Sequence, residues 1–143
     1  MADPSTLRGL LERVKSATED EYELDRDIGF ALDGWSHLPD DHELCRKYPE
    51  CKWIDNGQGQ IFADSPSALS EPSYTFSLDA ALALVERVMP GAIIAITVFQ
   101  EEGYTRASIG TGRRSGSGKA PTPALALLAA LLEAQIMEAE NDA

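Results

Sequence analysis

Apolar residues recur along this chain with two kinds of spacing. Leu7, Leu10, Leu11 and Val14 stand at i, i+3, i+4 and i+7, the stripe of an amphipathic helix. Asp3-Pro4 ahead of them offers an N-cap and a proline in the first helical position. Leu24, Ile28, Ala31, Leu32 and Trp35 predict a second helix, with Asp20, Glu21 and Glu23 near its N-terminus, where carboxylates suit the helix dipole, and Gly34 as its stop. A third is predicted from the cap Ser77 through Leu78, Ala81, Leu82, Val85 and Val88 to Pro90-Gly91. The last opens at Thr122-Pro123, and its ALALLAALLEAQIM is apolar almost all round. Such a helix belongs in a core or at a subunit interface.

The remaining apolar runs predict strands. CKWIDNGQGQIFAD, 51–64, has two short pieces around Asp55-Asn56-Gly57, a hairpin signal. AIIAITVF, 92–99, is a continuous run of eight, the pattern of a strand covered on both faces. A turn at Glu101-Glu102-Gly103 leads into YTRASIG, which alternates. Residues 36–51 show no period, and SPSALSEPS, 65–73, is a loop by composition.

The order α-α-β-β-α-β-β-α predicts a single domain over 1–143 of α/β (α+β) class. We expect a three-layer α/β/α sandwich around a largely antiparallel sheet of about four strands. The N-terminal helix, 1–20, is expected to be peripheral and 138–143 a disordered tail. Open sheet edges invite a second chain, so a homo-oligomer is expected.

Charge changes this picture in one place. The chain has 24 acids against 12 bases, a net charge of −12. The acids are concentrated in residues 1–64, most densely in EDEYELDRD, 19–27. That field disfavours direct binding to nucleic acid or anionic membrane. No apolar run is long enough for a membrane span and the N-terminus lacks a signal-peptide pattern, so the host cytoplasm is the expected location. Cys45 and Cys51 are then expected to be reduced.

Against this background, Gly103–Leu132 holds Arg106, Arg113, Arg114 and Lys119 and no acid. Within it GRRSGSGKA, 112–120, looks like a phosphate loop but fails the pattern. Arg113 stands where glycine is needed and Ala120 where serine or threonine is needed. Its physical ingredients remain. Gly112, Gly116 and Gly118 allow close backbone approach, the cations suit phosphate, and the helix end at Thr122 adds a positive dipole. The expected ligand-binding residues are Arg106, Arg113, Arg114, Lys119 and Thr122, with Tyr104 available to stack.

Other chemistry is thin. His37, His42, Cys45 and Cys51 are zinc-ligand types with poor spacing, weak metal candidates only. Trp35, Trp53, Phe62 and Tyr74 lie at element ends and read as core. No nucleophile, base and acid assemble from the sequence, so no catalytic residue, enzyme activity or cofactor is expected.

Two stretches, YTFSLDAALALVERVMPG and TPALALLAALLEAQ, carry a resemblance to the phage ABA-sandwich domain family, extending over roughly Glu23 to Gln135. The resemblance implies an α/β/α sandwich and a phage or prophage context. In that context the expected function is non-enzymatic counter-defence: an oligomer that sequesters a small phosphorylated signal, a cyclic nucleotide or a cyclic ADP-ribose type. The alternative is an acidic mimic of nucleic acid that docks Glu21, Glu23, Asp25 and Asp27 on a basic host effector such as a CRISPR complex.

Overall fold

The computed structural model describes residues 3–17, 22–65, 74–112 and 114–141. Glu21, Arg113 and most of the 65–73 stretch lie outside the described residues.

The helices follow their caps. Asp3 accepts a hydrogen bond from the Thr6 amide at 2.8 Å, and α1 runs Pro4–Ser16. Its Leu7, Leu10 and Val14 are buried, and the stripe packs against the last helix. The expectation of a peripheral N-terminal helix therefore gives way to one that closes the core. Helix α2, Tyr22–Leu32, packs on α1. Ser77 accepts from the Ala80 amide at 3.2 Å and starts α4, Leu78–Val88.

Helix α5 spans Pro123–Asn141, with Thr122 accepting from the Leu125 amide at 3.3 Å. Every residue from Ala124 to Leu132 is buried, because the helix is sheathed by a sheet on one side and by α1 and α4 on others. Residues 138–141, expected as tail, are helical. Arg114 reaches Glu138 at 2.6 Å and Arg8, in α1, pairs with Glu140, so two distant parts of the chain hold that last turn.

Stretch 36–51 is more ordered than its pattern suggests. It contains β1, Ser36–His37, and the short helix α3, Glu43–Lys47, too brief to show a period. Strand β1 pairs antiparallel with β2, Trp53–Asp55, which pairs with β3, Ile61–Ala63. The β2–β3 hairpin falls where Asp55-Asn56-Gly57 places it. The Asn56 side-chain oxygen accepts from the Gln58 and Gln60 amides at 2.8 and 3.2 Å.

A polar lock ties the end of α2 to the end of α4. Arg87 donates through Nε and Nη2 to the two oxygens of Asp33, each at 2.7 Å, and the Tyr74 hydroxyl donates to the same carboxylate. Burial, and then that carboxylate, push the Tyr74 hydroxyl well above its ordinary pKa. Trp35, Phe62 and Tyr74 pack together, as core aromatics do.

The second sheet is β4, Ile93–Phe99, β5, Tyr104–Gly110, and β6, Ser115–Ala120, antiparallel in that order. The class is α+β, but the described strands form two three-stranded sheets in place of one sheet of about four. Two expectations change with it. The 112–120 segment is largely a strand, in which glycine occupies alternate inward positions. Its reason is steric: a Cβ on Gly116 would lie 2.1 Å from the Ala130 carbonyl oxygen, and one on Gly118 2.4 Å from that of Ala126. These glycines admit α5, not a ligand. The second change is at β4, which is not covered on both faces: Ile93 is 79% exposed and Val98 53%.

Candidate ligand-binding face

Alternation along three paired strands sorts their residues into two surfaces. Thr105, Ala107, Ile109, Gly116 and Ala120 point to α5 and are buried. The opposite face is open to solvent and forms four rows across the sheet, set by the register. One row is Ile93, Gly110 and Ser115. The next is Ala95, Ser108 and Ser117, followed by Thr97, Arg106 and Lys119, and last the pair Phe99 and Tyr104.

The first two rows border a cavity of about 810 Å³. Its lining comes largely from the acid-free segment, with the hydroxyls of Ser108, Thr111, Ser115 and Ser117 and the backbone of Gly110 and Gly112. Ile93, Ala95, Ile109 and Met137 belong to its apolar part, and among the described lining residues Glu133 is the charged one. Arg106 and Lys119 stand one row further, roughly 7 Å along the strands from Ser108 and Ser117.

Arg106 and Lys119 are direct cross-strand partners, both exposed. Like charges placed opposite one another destabilise a sheet. The usual remedy, a carboxylate between them, is missing, since no ion pair among the described residues engages either one. Partial relief comes from Tyr104: the Lys119 ammonium lies 4.0 Å from the Tyr104 ring centroid, a cation–π contact. Tyr104 in turn stacks on Phe99, with centroids 4.8 Å apart and an interplanar angle of 24°. The Tyr104 ring is thus engaged by Phe99 and by the lysine, and it orients that cation; stacking on a ligand is not the role its contacts favour.

The other expected ligand residues are not brought to this row. Arg114 sits at the opposite end of the β5–β6 hairpin, where the Thr111 amide donates to its carbonyl at 2.7 Å. Its guanidinium is paired with Glu138. Thr122 uses its hydroxyl oxygen to cap α5. Arg113 lies outside the described residues.

No family model, curated protein or solved structure matches this chain. The functional reading therefore rests on the geometry of its own residues.

Of the four acids expected to meet a basic partner, one is internal. Asp25 is 2% exposed and accepts from the Thr75 amide at 2.8 Å, so it is an internal hydrogen-bonding group, unavailable to a partner. Asp27 is paired with Arg13 at 2.6 Å and Arg26 at 3.4 Å. Glu23 is exposed, and Glu21 is outside the described residues.

Of the metal candidates, His37, Cys45 and Cys51 border one cavity of about 480 Å³, but they do not form a metal-binding group. No group of three or more His, Cys, Asp or Glu among the described residues could hold a metal ion. His42 Nδ1 accepts from the Leu44 amide at 3.1 Å and caps α3. His37 turns to Asp64, 3.4 Å away, whereas Cys45 and Cys51 are free thiols.

Asp64 is the centre of a cluster that sequence spacing does not reveal. The Tyr22 hydroxyl donates to it at 2.5 Å, and Arg26 Nη1 lies 3.6 Å away. Burial would raise the Asp64 pKa, but the hydrogen bonds from Tyr22 and His37 and the Arg26 charge together hold it below the usual carboxylate value. Its partners are 27 and 42 residues distant for His37 and Tyr22. The cluster ties α2 to the edges of the small sheet. No described helix is long and apolar enough to cross a membrane.

Proposed function

We propose that this chain is a non-catalytic binding module that holds a small phosphorylated ligand on the open face of β4–β6. Arg106 and Lys119 neutralise the phosphate, the hydroxyls of Thr97, Ser108 and Ser117 supply neutral hydrogen bonds, and the less polar part of the ligand lies over Ala95 and Ile93. In the phage setting that the two sequence motifs imply, such a module sequesters a cyclic nucleotide or cyclic ADP-ribose-type immune signal.

One observation carries this reading. A molecule with 24 acids sets two cations side by side across a ladder, beside a hydroxyl-lined cavity, with no ion pair to either among the described residues. An arrangement that costs stability when empty is relieved by an anion. The cation–π contact on Tyr104 keeps the lysine in place for it.

The experiment is calorimetric titration with a panel of cyclic dinucleotides and cyclic ADP-ribose. We expect at least one member to bind. Arg106→Ala with Lys119→Ala should then weaken it by about tenfold or more for each charged hydrogen bond lost, and Arg114→Ala should leave affinity within about threefold. Silence across the panel overturns the proposal, as does an Arg114→Ala loss equal to that of the double variant.

A further inference from the structure

We infer, on the ligand reading above, that Glu133 makes the cavity selective for a guanine base, so that the phosphorylated ligand is a guanine nucleotide in preference to an adenine one.

Between Ala124 and Ile136, helix α5 carries a single charged residue, Glu133. Its neighbours Leu132 and Ala134 are fully buried, whereas Glu133 is half-buried and borders the cavity. Among the described residues no hydrogen bond or ion pair engages its carboxylate. Arg114, just ahead of β6, is paired with Glu138 instead. A carboxylate held partly out of water with no counter-ion is costly, and N–H donors on a ligand relieve that cost.

Carboxylate and phosphate repel each other, so Glu133 addresses a different part of the ligand from the Arg106–Lys119 row. The same cavity supplies an apolar bed for a flat ring. Ile93, 79% exposed, and Met137, 39% exposed, both border it, and a base lying there covers apolar surface that the fold leaves in water.

An ionised glutamate only accepts hydrogen bonds, so it sorts bases by where their N–H groups lie. Guanine has two donors side by side, N1–H and the 2-amino group, which match the two carboxylate oxygens as a bidentate, charge-assisted pair. Adenine sets its 6-amino group beside the N1 lone pair, and cytosine its 4-amino group beside the N3 lone pair. In both, that lone pair faces a carboxylate oxygen and repels it. Uracil has one N–H between two carbonyls. Guanine is the base whose edge fits.

The test is calorimetric titration of the full chain with cyclic GMP, cyclic IMP and cyclic AMP, and with the corresponding cyclic dinucleotides. In whichever set binds, we expect the guanine compound to be about tenfold or more tighter than the adenine one. The hypoxanthine compound, which keeps N1–H and lacks the 2-amino group, should fall between them. Glu133→Gln is close in shape and spares the fold. Its amide sets an acceptor beside a donor, the complement of adenine's edge, so the variant should abolish or reverse the preference. Equal or tighter binding of the adenine compound to the wild type overturns the inference. If Arg106→Ala with Lys119→Ala weakens that binding, the ligand reading survives; if not, it falls too. A guanine preference that outlasts Glu133→Gln overturns the selectivity, as does a hypoxanthine compound that binds as tightly as the guanine one. Silence from every compound overturns both readings.

Discussion

Two surfaces share strand β6. Its inward residues Gly116, Gly118 and Ala120 face α5, and its outward residues Ser115, Ser117 and Lys119 face solvent. Inside, identity is set by sterics: helix backbone sits where a Cβ would be. Outside, no packing dictates the residue, so what is placed there is free to serve chemistry. The contrast separates residues that make the fold from residues that use it.

The largest expected effect lies on the inner surface. Gly116→Val should destabilise by about 3 kcal/mol or more, the upper end of overpacking costs, since the obstructing atom is a backbone oxygen that cannot swing away. Ser117→Val, one residue along on the outer surface, should change stability by less than about 0.5 kcal/mol. Urea denaturation of the pair measures both. Equal effects would dissolve the distinction.

Asp25→Ala should cost about 1–3 kcal/mol, because it strands the Thr75 amide in the interior. A surface acid, as the mimicry reading requires, would cost almost nothing. Gln135 tests the inner surface with the opposite sign. It is fully buried in α5, and neither its side-chain nitrogen nor its oxygen has a partner among the described residues. Gln135→Leu should therefore stabilise by about 1 kcal/mol, seen as a raised melting temperature.

The smallest effect is in acid. Asp64 is held below its ordinary pKa of 3.8 in the folded state. Its contribution is thus fully present above 3.8 and fades as pH falls through the lower folded value. The stability difference between the wild type and Asp64→Asn should shrink over that window. A difference constant with pH would show that the carboxylate charge adds nothing.

These contrasts explain what could be read from the residues in order. Helices α1, α4 and α5 declare themselves because caps and apolar stripes are local. Residues 112–120 fail the phosphate-loop pattern yet suggest a ligand-binding loop, because glycine and serine favour turns; Ser115–Ala120 is a strand. Its Ser-Gly-Ser-Gly-Lys-Ala alternation is strand periodicity with glycine as the inward residue, and what demands glycine is a helix whose crowding residues, Ala126 to Ala134, come later in the chain. The eight-residue apolar run was a strand, but its apolar character does not tell coverage by a layer from exposure at an edge. The cations divide for the same reason. Arg106 meets Lys119 only through the β5–β6 register, and Arg114 is drawn to Glu138, 24 residues away.

The most direct test of the central claim is to follow backbone amide resonances while adding cyclic ADP-ribose or whichever panel member binds in calorimetry. Shifts should concentrate at Thr97, Arg106, Ser108, Ser117 and Lys119, with Glu23, Asp27 and Glu138 unmoved. Shifts centred on α2, or on the Arg114–Glu138 end with the Arg106–Lys119 row silent, would contradict that claim.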